Sequence, residues 1–298
     1  MEGELVSPER ATMPVMGHAA HRGSLVFDFG VFHTTPSGPT VFRLRDHVQR
    51  FLRSASLLGL ELGYDAGALV EASRRAVAAS ELGEGHLRWT AFVPSPEADL
   101  LPRSPRAHVA IAAYAPADLA DEGPPLPPKP AALRVAVFDD ARKAPPDVFP
   151  PLAKIAGAYV GPLIAKRRAV AAGADEIVLL DAEGDVAEAP TSNVFAVVRG
   201  ELLTPPLGRI LDGITRDSVL AIARAEGIPA REVALSRGAF ESADEAFLTA
   251  SSFPVAPIVS VNGHAMKAGA PGLLTARVKA VLLAAERGAD PRFLAWTA

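Results

Sequence analysis

Apolar and polar positions follow two alternating periods along the chain. The run Ser24-Leu25-Val26-Phe27-Asp28-Phe29-Gly30-Val31-Phe32 predicts a strand that turns at Pro36-Ser37-Gly38-Pro39 into a second strand over Thr40–Leu44. Val48, Phe51, Leu52 and Ala55 then recur at helical spacing, which predicts a helix over His47–Leu58 with Asp46 as its N-cap. A second helix fits Ala66–Ala79, and strand-like segments follow at Leu87–Val93 and His108–Tyr114. In the second half, short strands (Leu133–Phe138, Glu176–Leu180, Val194–Val198, Glu245–Thr249) alternate with helices over Tyr159–Ala172, Thr215–Glu226 and Leu273–Ala285. Asp212–Asp217 has the form of a strand-to-helix entry.

This pattern is that of an α/β (α+β) protein in two domains. The stretch Ala117–Pro130 is polar and then proline-rich, which favours extended geometry over packing. It divides the chain into an N-terminal α/β domain (1–122), a linker (123–132) and a C-terminal domain of mixed strands and helices (133–298). A length of 298 residues suffices for two cores, and 49% hydrophobic residues with a net charge of −4 describe a soluble globular protein. The charge balance argues against a nucleic-acid partner. The lack of cysteine excludes disulfides, thiolate metal sites and a cysteine nucleophile. No metal site is expected. No basic start precedes an apolar run, and Gly, Pro or charge interrupts every apolar stretch before membrane length, so no membrane partner and a cytoplasmic location are expected.

Candidate chemistry centres on one lysine. Lys143 follows Arg142 and Lys166 adjoins Arg167 and Arg168, so both read as solvated. Lys129 lies in the proline tract, Lys267 in a Gly-rich loop and Lys279 on a helix beside Arg277. Lys154, in Ala153-Lys154-Ile155-Ala156-Gly157-Ala158-Tyr159, has small or apolar neighbours on both sides. Poor solvation favours a neutral amine, which can form a Schiff base with an aldehyde. A carboxylate (Glu188), a phenol (Tyr159) and a helix start with a hydroxyl (Gly213-Ile214-Thr215) supply what a pyridoxal phosphate aldehyde needs: a partner for its ring nitrogen, one for its ring oxygen, and an anion site.

Each feature also has an ordinary reading. Lys154 alone is a snorkelling surface lysine, Glu188 a strand-end carboxylate and Thr215 a helix cap. Arg50 is a solvated helix charge or a bidentate phosphate partner. Arg88, in the otherwise apolar His86-Leu87-Arg88-Trp89, is an edge-facing charge or a cation reserved for a carboxylate, and Phe27 is by default a core residue. Thr249-Ala250-Ser251-Ser252 is a routine turn or a close approach to a ligand.

Together the segments Lys154–Tyr159, Leu203–Leu207, Gly213-Ile214-Thr215-Arg216-Asp217-Ser218, Ala243–Thr249 and Pro257–Gly263 resemble the fold-type IV pyridoxal phosphate enzymes, the class IV aminotransferases. The likeness is greatest to bacterial branched-chain amino acid aminotransferases. The resemblance implies a Schiff base on Lys154, which also moves the substrate proton. Glu188 would pair with the pyridine nitrogen beside Ser192 and Asn193, and Tyr159 with the ring oxygen. Arg50, Ile214, Thr215 and Ser251 would hold the phosphate. Ser251 and Ser252 would present N–H groups to the substrate carboxylate, Phe27 would line the substrate site, and Arg88 would receive the acidic co-substrate, 2-oxoglutarate. It also implies a homodimer acting on a small amino acid and a 2-oxo acid. The run Phe27-Asp28-Phe29-Gly30-Val31 departs from the usual Phe-Glu-Gly, and Ala250-Ser251-Ser252 from Gly-Thr-Ala. Side-chain specificity therefore stays open, with D-amino acid or (R)-amine transamination and 4-amino-4-deoxychorismate lysis as alternatives and a non-catalytic binding homologue disfavoured.

Overall fold

The computed structural model describes residues 1–96, 98–119 and 130–297. Its contacts divide the chain into two units: Met1–Pro125 with Ala153–Gly157 and Ala285–Ala298, and Leu126–Leu152 with Ala158–Ala284. The sequence suggested one boundary in a proline-rich linker at 123–132. Residues 123–129 of that linker lie outside the described residues. The lysine segment and the C-terminal segment group with the first unit instead of the second.

The first unit holds α1 (His18–Arg22), β1 (Val26–Thr35), β2 (Gly38–Val41), α2 (Leu44–Leu57), α3 (Ala66–Ser80), β3 (Gly85–Phe92) and β4 (His108–Tyr114). The four strands form an antiparallel sheet in the order β2-β1-β3-β4. Strand alternation gives the sheet two different faces. Asp28, Leu87, Trp89 and Phe32 point to the helices, and Trp89 is fully buried with its Nε1 donating to Ser73 Oγ on α3 at 2.8 Å. Gly30 packs closely there: a Cβ would stand 3.3 Å from the Trp89 ring, which would have to shift by a few tenths of an ångström. The other face carries Phe29, His86, Arg88 and Tyr114. Phe29 meets His86 edge-on at 4.8 Å and His86 meets Tyr114 at 5.5 Å.

Helix α2 starts earlier than its periodicity suggests. Asp46 is not the N-cap: it lies in the first turn and accepts from Arg43 Nε at 2.5 Å. Arg43 caps the helix in the left-handed region (φ 51°), and its backbone N–H donates to Trp296 O at 2.6 Å. For α3 the cap is local, with the Asp65 side chain accepting from Ala68 N at 2.8 Å.

The second unit contains β5 (Leu133–Ala136), α4 (Val160–Ala171), β6 (Glu176–Ile177), β7 (Asp185–Val186), β8 (Glu188–Ala189), β9 (Ser192–Val198), β10 (Glu201–Thr204), α5 (Ile214–Ala225), β11 (Ala230–Glu232), β12 (Leu235–Ser236), α6 (Arg237–Glu241), β13 (Glu245–Ala250), β14 (Phe253–Val261) and β15 (His264–Ala265). Helix α7 (Leu273–Glu286) follows. The main sheet runs β11-β10-β9-β13-β14-β5-β6, with β8 on β9 and β15 on β14. Val135, Val194, Ala196, Phe240, Leu248 and Ile258 form its core on one face, while Phe195 stacks on Phe247 at 5.0 Å. The predicted strand Glu176–Leu180 is cut to two residues, because Leu179 N bonds Glu188 O and Leu180 N bonds Ala141 O. The approach to α5 is irregular, not a strand: β10 ends at Thr204 and residues 211–213 have no regular structure. Among the described residues no helix is long and apolar enough to cross a membrane.

Candidate active site

Lys154 is seated by backbone pairing. Its segment forms an antiparallel bridge with β1 at Ile155 and Val26. Phe27 N donates to Lys154 O at 3.0 Å and Ala156 N to Leu25 O at 2.8 Å, while Lys154 N donates to Ser54 Oγ at 3.0 Å. These bonds fix the root of a half-buried side chain. Its Nζ lies 4.9 Å from the centroid of the Phe27 ring, and the Arg88 guanidinium lies 4.5 Å from the same centroid. Lys154, Phe27 and Arg88 are thus gathered at one end of the first unit's sheet. Arg88 is exposed, on the face opposite the helices.

Arg50 is no solvated helix charge. It is 6% exposed, and its Nε and Nη2 donate to the two oxygens of Asp28, each at 2.8 Å. His47, one turn earlier on α2, bonds Asp28 Oδ1 through Nδ1 at 2.7 Å and stacks on Trp89. Burial pushes the Asp28 carboxyl up, but the Arg50 charge and hydrogen bonds, with His47, override it and hold Asp28 well below the usual carboxylate range. For His47 burial dominates, and its pKa is lowered despite Asp28. Asp28 and His47 were not among the residues singled out by sequence. The signal was present: Asp28 falls on the inward parity of β1, and His47 and Arg50 share one face of α2 at i, i+3.

In the second unit, Glu188 is delivered by a tight reversal. Asp181 Oδ1 accepts from Glu183 N at 3.0 Å and Asp185 N at 2.9 Å, with Gly184 at φ 90°, so the chain doubles back into β7 and β8. Glu188 is 9% exposed. Its Oε2 accepts from Asn193 Nδ2 and from Leu211 N, both at 3.0 Å, and its Oε1 accepts from Lys143 Nζ. Lys143 is therefore not solvated: its side chain is 19% exposed and engaged with the carboxylate. Register places Glu188 opposite Asn193 and Asn193 opposite Thr249, so the three side chains stand in a row across β8, β9 and β13. Among the described residues the Thr249 hydroxyl, on this row, is buried without a hydrogen-bond partner, as is that of Ser192, which alternation places on the opposite face of β9. A polar ligand at this row would satisfy Thr249.

Ile214 and Thr215, 7% and 4% exposed, open α5 behind Gly213, which offers no side chain as a cap. A Cβ on Gly213 would fall 1.8 Å from Asn193 Oδ1, so the glycine is what lets Asn193 reach Glu188. A helix start of this kind favours anions through its N–H groups and dipole. Tyr159 ends a 3-10 turn (Ala156–Tyr159) and caps α4. Ser251 and Ser252 form the turn between β13 and β14, Ser251 half-buried and Ser252 exposed.

Comparisons with known proteins show the family and the fold. A family model described as amino-transferase class IV matches residues 30–261. The branched-chain-amino-acid aminotransferase of Pseudomonas aeruginosa is 33% identical over 279 residues, covering 93% of this chain and 89% of that protein. The Escherichia coli K12 protein of that name is 32% identical over 284 residues, with the same coverage. In three dimensions, the branched-chain aminotransferase of Thermoproteus uzoniensis with norvaline superposes with a TM-score of 0.89 at 33% identity, over 99% of this chain and 96% of that one. The T.th. branched-chain amino acid aminotransferase complexed with N-(5'-phosphopyridoxyl)-L-glutamate gives 0.91 at 33% identity and the same coverage. The fold is fold type IV. From the seated lysine, the fixed carboxylate and a family match over most of its length, the chain belongs to the class IV aminotransferases.

Proposed function

We propose that this protein is a pyridoxal 5'-phosphate-dependent transaminase exchanging an amino group between a branched-chain amino acid and 2-oxoglutarate. The observation that carries the reading is Lys154, with its backbone hydrogen-bonded on both sides and its Nζ 4.9 Å from the Phe27 ring centroid. The names of the relatives and the phosphopyridoxyl-glutamate complex of the T.th. enzyme support the substrate pair. The residues fit the cofactor: a rooted lysine, a carboxylate fixed by two neutral donors on one oxygen, and the buried Thr249 hydroxyl in its row, without a partner among the described residues.

When bound, pyridoxal 5'-phosphate supplies an aldehyde for the amino group and a ring that draws electron density from the substrate Cα. Lys154 Nζ is the amine that holds it and the base that moves the proton at Cα. Glu188, its plane set by Asn193 and Leu211 N, keeps the ring nitrogen protonated. Tyr159 donates to the ring oxygen. Ile214, Thr215 and Ser251 hold the phosphate with Arg50, which Asp28 keeps rigid. Ser251 and Ser252 orient the substrate carboxylate, Phe27 lines the aliphatic side, and Arg88 takes the distal carboxylate of 2-oxoglutarate. The enzyme acts as a homodimer: Val160, Leu163 and Ile164, at i, i+3, i+4 on α4, are 59%, 52% and 58% exposed.

Steady-state assays with L-leucine, L-isoleucine, L-valine, D-alanine and an aliphatic amine, each with 2-oxoglutarate, test the reading. Turnover should be greatest with the three branched-chain donors and absent in Lys154→Ala. A preference of tenfold or more for D-alanine or the amine contradicts the substrate assignment.

A further inference from the structure

Lys143 has a place in this geometry that its sequence neighbourhood hides. The segment carrying it is pinned: Lys143 N donates to Leu180 O at 2.8 Å, and Arg142 Nη1 donates to the carbonyls of Asp181 and Ala182 at 2.8 and 3.0 Å. With its root fixed, the Lys143 side chain delivers its ammonium group to Glu188 Oε1. The nearby Arg209 is committed elsewhere: it pairs with Asp181 at 2.6 Å and lies within 3.6 Å of Asp185 and 3.4 Å of Glu183. Glu188 Oε2 already accepts two neutral hydrogen bonds, from Asn193 and Leu211 N. A protonated ring nitrogen addressing this carboxylate therefore meets Oε1, the oxygen that Lys143 also holds.

We propose that Lys143 is a positioning residue that shares Glu188 Oε1 with the cofactor ring nitrogen and so limits how strongly Glu188 holds that nitrogen protonated. The inference rests on the reading of Glu188 given above. Two cations addressing one oxygen of one carboxylate repel each other, and in a site this buried the repulsion is poorly screened. Three donors on the carboxylate also fix its plane, so Lys143 acts on both the direction and the charge of Glu188.

The test uses holoenzyme loaded with pyridoxal 5'-phosphate carrying 15N at the ring nitrogen, whose NMR shift separates the protonated from the unprotonated form. Lys143→Met should raise the midpoint of the ring-nitrogen titration by roughly one to two pH units, as expected for removing a unit charge about 5 Å away at an effective dielectric constant of ~20–40. Lys143→Gln should do the same if the methionine variant does not fold, and Lys143→Arg, which keeps the charge, should stay near the parent. An unchanged or lowered midpoint in both neutral variants overturns the proposal. Glu188→Gln separates the two claims. If it lowers the midpoint while the neutral Lys143 variants leave it unmoved, Lys143 alone loses its role; if it too has no effect, the assignment of Glu188 falls with it.

Discussion

Two buried acids in the first unit meet opposite fates, and the difference lies in their partners. Asp28 is fully buried but held by Arg50 and His47 with good geometry, so it stays ionised. Removing one partner of such a network costs about 3–5 kcal/mol, because a buried charge is left uncompensated. Glu286 is 1% exposed and has no such support. Among the described residues its Oε1 has no hydrogen-bond partner, and His33 Nε2, likewise without one there, stands 3.8 Å from its Oε2. Burial pushes its carboxyl from the ordinary 4.5 up to about 8, against a small opposing effect of Arg287. The unfolded chain releases this proton near 4.5 and the folded chain near 8, so stability falls as pH rises across that window. The penalty is absent below the lower value and complete above the upper one. Glu286→Gln should therefore gain stability over the parent as pH rises from 5 to 8, by an amount on the order of a few kcal/mol in urea unfolding. A parent–variant difference that does not change with pH would contradict this account of Glu286.

At the scale of elements, the start of α5 and the strand pair β8–β9 are one device. Gly213 leaves room for Asn193, and Asn193 Nδ2 bridges Glu188 Oε2 and Leu211 O, both at 3.0 Å. Gly213→Ala should displace Asn193, cost about 1–3 kcal/mol of stability and weaken cofactor affinity by roughly tenfold or more. Fluorescence titration with the cofactor and thermal unfolding measure both quantities, and parent-like values in both would reject the coupling. Lys154, Glu188 and Gly213-Ile214-Thr215 each had an ordinary reading in the sequence; the structure adds that Glu188 is 9% exposed and that α5 starts behind Gly213 without a side-chain cap. Legible in the sequence were β4, found at the expected residues His108–Tyr114, and α3, whose cap Asp65 is local. The start of α2 was not, because its cap depends on a hydrogen bond from Arg43 to Trp296, far along the chain. Lys143 was misread for the same reason. Arginine beside it in sequence suggests solvent, but a partner 45 positions away sets its environment.

For the molecule as a whole, composition marked a proline-rich divide but not the segments that return to the first unit. Ala153–Gly157 joins that unit through the pairing of Ile155 with Val26, and the C-terminal residues through the Arg43–Trp296 bond, neither of which alters local composition. The exposed apolar stripe of α4 carries the proposed dimer. Leu163→Glu should raise its dissociation constant at least about tenfold in sedimentation velocity, since burying one leucine contributes about 1.5–3 kcal/mol; an unchanged constant would place the contact elsewhere. The central claim is that Lys154, among the lysines of this chain, carries the cofactor. Borohydride reduction of the protein loaded with pyridoxal 5'-phosphate, followed by peptide mass mapping, tests it most directly. A phosphopyridoxyl group on the peptide bearing Lys154, lost in Lys154→Ala, is the predicted result. The same group on Lys143 or Lys166, with Lys154 unlabelled, would contradict the account.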